Sequence, residues 1–333
     1  MTSSNRGALR TPMQSFSVIR GSLPKTPLLI TPRELHETLR SSSDVSILDA
    51  SWLMPNSPRI AKEEFMSKRI PGARYFDLDQ VASPSELGLK HMMPSRPIFS
   101  EAMEKLGIKP SDHVIIYDSQ GIFSSPRALF TFKAFGHHRA SVLDGGLPRW
   151  EAEGLSTESG PPDDVRKTSY PALAPDESII KSYTQVVNNS EIELSKDPTA
   201  ELVLDARARG RYLGTDPEPR PGLPSGHIPH SFSIPFNAFL RTNTVPNSTT
   251  MYTTFLPPAE LRQKLVESVG EDNTQAIIRG ERKVITSCGS GMTAGVLWLG
   301  LKLIAESSRV AIYDESWTGY ASRKGSKIDK SEA

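Results

Sequence analysis

The chain has 333 residues, a single cysteine and a formal net charge of +1 at neutral pH, from 39 basic and 38 acidic side chains. One sulfur excludes an internal disulfide framework and a cysteine-rich zinc site, and charges that balance and intersperse exclude an extended nucleic-acid surface. The length predicts about two domains, in a soluble protein, since no run reaches the roughly 20 uninterrupted apolar residues of a spanning helix and the best stretch, 296–305, is broken by Lys302.

The N-terminus carries Arg6, Arg10, Arg20, Lys25 and Arg33, is rich in Ser and Thr, and has no acidic residue before Glu34. Such a composition reads as a mitochondrial transit peptide, or as a disordered cytosolic tail, which Pro12 and Pro24 also suit. Residues 1–25 are therefore expected to be one or the other, and the location to be mitochondrial or cytoplasmic.

From residue 26 to 155, short β-branched runs alternate with helical patterns. Ser46-Ile47-Leu48-Asp49-Ala50 and His113-Val114-Ile115-Ile116-Tyr117-Asp118 read as buried strands, 125–135 as a helix and Ser141-Val142-Leu143-Asp144 as another strand, a pattern that predicts an α/β fold whose parallel β-sheet is flanked by helices on both faces. The stretch 156–177, with Gly160-Pro161-Pro162-Asp163-Asp164 and prolines at 171 and 175, cannot hold a helix or central strand and reads as a linker. The same order then returns over 178–325. Leu202-Val203-Leu204-Asp205-Ala206 matches 46–50, His227-Ile228-Pro229-His230-Ser231 matches Arg69-Ile70-Pro71-Gly72-Ala73, Lys283 to Cys288 matches 113–118, and Ala311-Ile312-Tyr313-Asp314 matches 141–144. An internal repeat of this length means two tandem copies of one domain, followed by a tail at 326–333. Asp49 and Asp205 end equivalent strands and read as structural, fixing the next turn through local hydrogen bonds.

The copies differ where chemistry belongs. In such sheets ligands bind beyond the carboxyl ends of the strands, and there the second copy has Cys288-Gly289-Ser290-Gly291-Met292-Thr293-Ala294 while the first has Asp118-Ser119-Gln120-Gly121. Free cysteines are mostly inert buried hydrophobes. This one ends a strand and opens a helix, where free N–H groups and the helix dipole favour a thiolate. Gly289 and Gly291 let the backbone curl into an anion-binding nest, Ser290 adds a hydroxyl donor, and Thr293 either does the same or caps the helix. Cysteine-dependent phosphatases share this design but need an arginine six residues after the cysteine, and here that residue is Ala294. The first copy, with a carboxylate at the sulfur's place, is expected to wall the site without running chemistry.

The tandem repeat, the Ile-Pro-Gly-Ala and Gly-His-Ile-Pro segments and the Cys-Gly-Ser-Gly-Met-Thr-Ala loop resemble the two-domain rhodanese superfamily, and within it the 3-mercaptopyruvate sulfurtransferases, over residues 26–325. The resemblance implies two rhodanese-like domains and a Cys288 persulfide that carries sulfur from a small 2-oxo-acid thiol to thioredoxin, another thiol or cyanide, releasing pyruvate. It implies no metal, no organic cofactor, no membrane and no direct nucleic-acid partner. Thiosulfate-using members carry basic residues after the cysteine, where this chain has Gly289 and Ser290. Family arginines that bind the 2-oxo-acid end map onto Arg211 and Arg220 in Gly210-Arg211-Tyr212-Leu213-Gly214-Thr215-Asp216-Pro217-Glu218-Pro219-Arg220, whose guanidinium forks suit a planar carboxylate. Gly289, Gly291, Met292 and Thr293 complete the expected substrate site. By the same resemblance Asp79 and His91 join Ser290 in a proton-handling triad, a role imidazole suits because it titrates near neutrality. The family's usual Tyr-Asp-Gly-Ser-Trp is here Tyr313-Asp314-Glu315-Ser316-Trp317, the usual acidic-aromatic pair is Gly319-Tyr320, and a usual loop valine is Met292. Two other functions fit the same intermediate: transfer from thiosulfate, and a sulfur relay that hands the persulfide to one protein partner.

Overall fold

A computed structural model describes residues 26–330 except 195, 196, 198 and 246–250; the segment 1–25 lies outside the described residues. The first half contains strands β1 (Leu29–Ile30), β2 (Val45–Asp49), β3 (Arg74–Tyr75), β4 (His113–Tyr117) and β5 (Ala140–Leu143), with helices α1 (Pro32–Ser41), α2 (Ala61–Ser67), α3 (Arg96–Lys105), α4 (Ser125–Ala134) and α5 (Gly146–Ala152). The second contains β6 (Ile180–Lys181), β7 (Leu202–Asp205), β8 (Phe232–Ser233), β9 (Leu240–Thr244), β10 (Met251–Phe255), β11 (Val284–Ser287) and β12 (Val310–Tyr313). Its helices are α6 (Tyr183–Ser190), α7 (Arg209–Leu213), α8 (Pro258–Val269), α9 (Glu271–Ile278), α10 (Ala294–Ile304) and α11 (Ser316–Ala321).

Each half builds a five-stranded sheet, β1-β5-β4-β2-β3 and β6-β12-β11-β7-β8, and every pairing within these two sheets is parallel. The two orders coincide strand for strand, so the sequence repeat is a repeat of topology. Register fixes the decisive equivalence: Asp49 pairs with Tyr117 and Asp205 with Ser287, which puts Asp118 and Cys288, one residue further on, at matching points. Central strands are buried along almost their whole length because helices cover both faces, which is why they read as continuous apolar runs.

The aspartates that end β2 and β7 lock the turns that follow. Asp49 accepts the Ser51 N–H at 2.9 Å and Asp205 the Arg207 N–H at 2.9 Å. Burial pushes the Asp49 carboxyl up to about 6, against the hydrogen bonds of Ser51 and Tyr117 that work to lower it. Folded Asp49 thus holds a proton in the window between 3.8 and about 6 where the unfolded chain has lost it, so this group's contribution to stability declines as pH rises through that window. Asp49→Asn keeps the acceptor oxygen without the charge. It is expected to be more stable than the unaltered protein at neutral pH by up to about 3 kcal/mol, with the difference vanishing in acid. Denaturant melts across pH check this, and a difference independent of pH would contradict it.

The two halves meet through equivalent helices. A Cβ on Gly295 of α10 would lie 2.7 Å from the Arg127 backbone nitrogen of α4, so only glycine permits this approach, and Phe130 meets Trp298 edge to face at 5.3 Å beside it. One core cluster accordingly runs through both halves. The antiparallel hairpin β9–β10 has no counterpart among the described residues of the first half and reaches across to it. Thr253 Oγ1 accepts the Ile122 N–H at 3.2 Å, and Asp144 accepts the Phe255 N–H at 2.9 Å, which covers the loop after Asp118. The proline-rich stretch packs on the first half: buried Arg69 donates to the carbonyls of Gly160 and Pro161 and to Glu158, and Tyr170 O–H pairs with His137 at 2.8 Å. Near the C-terminus Asp329 forms a bridge with His227.

Candidate active site at the carboxyl end of the second sheet

Strand β11 delivers Cys288 to the sheet's carboxyl edge, 1% exposed, and α10 begins six residues later. The turn between them depends on Gly291, whose φ is +86° and whose Cβ would sit 2.6 Å from the Asp314 carbonyl oxygen. In this conformation the Gly291 N–H donates to Cys288 Sγ at 3.1 Å. The N–H groups of Ser290, Met292 and Thr293 in the same loop donate to no described atom, which leaves them free to bind an anion. Thr293 takes the N-cap position without a side-chain capping bond.

The first half shows what this loop does with an anion. Asp118 fills its own cradle: Oδ2 accepts N–H bonds from Phe123, Ser124 and Ser125 at 2.9, 3.1 and 2.9 Å, and Oδ1 accepts one from Gln120 at 3.0 Å. A carboxylate fixed by four backbone donors, under the β9–β10 hairpin, leaves no room for a reacting group.

Helix α11 holds the backbone of the Cys288 loop. Ser316, in the left-handed region at φ +49°, accepts the Cys288 N–H at 3.1 Å, while Trp317 N–H donates to the Cys288 carbonyl and Thr318 N–H to that of Gly289.

A cavity of about 240 Å³ opens over the sulfur. Among its lining residues are Cys288, Gly289, Ser290, Met292, Thr293, Arg211 and Arg220, joined by Arg207, Phe236 and, from the first half, Met54 and Phe123. A Cβ on Gly289 would stand 3.2 Å from Arg211 Nη2 and 3.6 Å from Arg220 Nη1, so both guanidinium groups occupy the space that a side chain after the cysteine would claim. Arg211 donates through Nε to Glu218 at 3.1 Å and through Nη2 to the same carboxylate. Glu218, its side chain 1% exposed, also accepts from Arg207 Nη1 at 2.8 Å. Arg207 in turn chelates Asp205 and stacks 4.0 Å over the Trp317 ring. Arg220 has no hydrogen bond or ion pair with any described side chain.

Asp79, His91 and Ser290 do meet, with a difference from the expected triad. His91 Nδ1 faces Asp79 Oδ1 at 2.9 Å, but Nε2 faces the backbone carbonyl of Ser290 at 2.8 Å, not its hydroxyl, which has no described protein partner; Ser290 itself is among the cavity-lining residues. Both facing atoms are acceptors, so each contact is a hydrogen bond only when that nitrogen carries a proton. Burial acts to raise the Asp79 carboxyl, but the hydrogen bond and charge of His91, with Trp52 and Lys90, outweigh it and hold Asp79 below its ordinary value. His91 and Asp79 lie behind the loop, outside the cavity lining. His91 is strained, with φ +47°, and its carbonyl accepts from buried Arg127 at 2.9 Å. Arg127, from α4, also pairs with Asp314 at the end of β12 and reaches the Gly291 carbonyl at 3.5 Å, pinning the first half onto the loop of the second.

Glu218, Arg207, Arg127 and Asp314 are missing from the sequence-derived site. A lone arginine inside the apolar run of α4 was the available signal for Arg127. Glu218 had none, because an acid between prolines reads as solvated loop. Glu315 does not join the cavity: it pairs with Arg323 and lies over Gly319, where a Cβ would approach within 2.4 Å. The two departures from the family pattern are therefore one, the glycine making room for the glutamate.

Comparison with known proteins bears on the family and the fold. The rhodanese-like domain family matches residues 31–153. A probable 3-mercaptopyruvate sulfurtransferase of Schizosaccharomyces pombe is 38% identical over 277 residues, 83% of this chain and 86% of the relative. The mitochondrial thiosulfate/3-mercaptopyruvate sulfurtransferase 1 of Arabidopsis thaliana is 37% identical over 318 residues, 90% of this chain and 77% of its own. Among solved structures, SseA of Escherichia coli, described as a 3-mercaptopyruvate sulfotransferase with the rhodanese fold, superimposes with a TM-score of 0.71 at 27% identity, covering 88% of this chain and 99% of that one. The chain belongs to the two-domain rhodanese superfamily, in the branch of the 3-mercaptopyruvate sulfurtransferases.

Proposed function

We propose that the protein transfers sulfur from 3-mercaptopyruvate to a thiol acceptor through a persulfide on Cys288. The observation that carries the choice of donor is the place of Arg211 and Arg220 in the space left by Gly289, where a guanidinium pair can grip a planar carboxylate next to the sulfur.

In the first half-reaction the Cys288 thiolate attacks the donor's sulfur. The carbon–sulfur bond breaks, its electron pair passes to the pyruvate enolate, and the enolate carbon takes a proton, so pyruvate leaves and Cys288 bears the persulfide. The Gly291 N–H already aimed at Sγ stabilises negative sulfur, and the unpaired N–H groups of the same loop can add to it. The hydroxyl of Ser290, a cavity-lining residue, is the group to relay the proton, with the His91–Asp79 pair fixing the loop through the Ser290 carbonyl. In the second half-reaction an acceptor thiolate, such as that of thioredoxin, attacks the outer sulfur and Cys288 returns as thiolate. As this chain has no second cysteine, the acceptor comes from outside. Steady-state turnover of the two donors tests the reading: mercaptopyruvate is expected to give much the larger kcat/KM, and a preference for thiosulfate would reverse the assignment.

The acid-free, arginine-bearing N-terminus and the mitochondrial label of the plant relative support delivery to mitochondria. Residues 1–35 fused to a fluorescent reporter are expected to mark mitochondria; diffuse fluorescence would place the protein in the cytoplasm.

A further inference from the structure

The charges at the cavity can be counted. Three guanidinium groups, Arg207, Arg211 and Arg220, belong to its lining, and two carboxylates, Asp205 and Glu218, pair with them. Three positive charges less two negative leave one, to be set against the Cys288 thiolate itself, and the pairing says where it resides: Asp205 and Glu218 hold Arg207, Glu218 holds Arg211, and Arg220 is unmatched among the described residues. Nearby Arg127 has Asp314. Glu218 is buried at 1% side-chain exposure, outside the cavity lining, so it acts on the donor through Arg211 and through its own field.

We propose that Glu218 is a specificity-determining residue: by neutralising Arg211 it holds the arginines and carboxylates at the cavity to one net positive charge, already set against the Cys288 thiolate, and so selects a singly charged sulfur donor over a doubly charged one. This rests on the sulfurtransferase reading above and deepens it. A 2-oxo-acid thiol brings one negative charge, which Arg220 matches. Thiosulfate brings two, and the second would be desolvated beside Glu218 and the sulfur without a counter-charge, an instance of selection by an unpaired charge.

The test uses the full chain with Glu218→Gln, whose amide oxygen can still accept from one arginine. In low salt, the ratio of kcat/KM for mercaptopyruvate to that for thiosulfate is expected to fall on the order of tenfold, the scale of one unit charge acting through a partly solvated site. Raising the ionic strength should shrink the change. A ratio that is unchanged, or both donors losing equally, would show that Glu218 only shapes the loop. Persulfide loading of the unaltered protein by mercaptopyruvate is the control: its absence overturns the sulfurtransferase reading itself, whereas its presence with an unchanged ratio overturns only the role of Glu218. Should Glu218→Gln fail to fold, the unaltered protein still decides. Malonate, a dianion, is expected to inhibit no better than pyruvate, a monoanion, at low ionic strength, and a clearly tighter malonate would contradict the neutralisation of Arg211 by Glu218.

Discussion

Cys288→Ser is expected to abolish sulfur transfer, lowering turnover on the order of 10⁴-fold or more, the scale of losing a covalent nucleophile. The hydroxyl keeps the size and the Gly291 N–H contact, and Cys288 is buried in a loop held at three backbone points by α11, so folding should survive and the melting temperature should move little. What disappears is the atom that can hold a second sulfur. A serine variant that retained added sulfur after mercaptopyruvate would move the chemistry to another group, and one that lost activity only by unfolding would say nothing against Cys288 until refolded material was assayed.

Arg220→Gln is expected to have the next largest effect. An unmatched guanidinium at the cavity has no structural partner to lose, so its removal should cost binding and leave stability almost intact. The expected loss in kcat/KM for mercaptopyruvate is on the order of 10²-fold, the scale of a charge-assisted pair, expressed mainly in KM, and thermal melting should be unchanged. Arg211→Ala should behave differently. It strips buried Glu218 of one of its two guanidinium partners, so its loss of activity should come with a lower melting temperature. Equal effects of Arg220→Gln on stability and on activity would mean that Arg220 supports the loop instead of the substrate.

Much of this was legible in the sequence because the relevant signals are local or periodic. Buried parallel strands read as apolar runs, and two runs ending in Asp, followed by two segments with Ile-Pro, are enough to expose the repeat and hence the equivalence of Asp118 with Cys288. The role expected of the cysteine rests on the glycines that follow it together with the family resemblance. Interactions between distant segments were not readable. Arg127 finds Asp314 across 187 positions, and nothing near either residue announces the other. The middle of the β9–β10 hairpin is polar, with Thr242 exposed and Asn243 and Thr253 half-buried, so it carries no clear apolar alternation to mark it as a pair of strands. The proline-rich stretch has the composition of a linker, yet it packs, because Arg69 offers donors that satisfy its carbonyls. The His91 contact shows a finer limit. The family resemblance put the histidine beside Ser290, but whether its ring meets hydroxyl or carbonyl depends on a left-handed backbone at His91 that Arg127 helps to hold.

The most direct test of sulfur transfer through Cys288 is the intact mass of the full chain after one equivalent of mercaptopyruvate with no acceptor present, followed by peptide mapping. One added sulfur atom per chain, located on the peptide carrying Cys288, removed by a thiol and matched by one equivalent of pyruvate, is the expected result. Pyruvate release without added sulfur, or added sulfur on any other peptide, would contradict it.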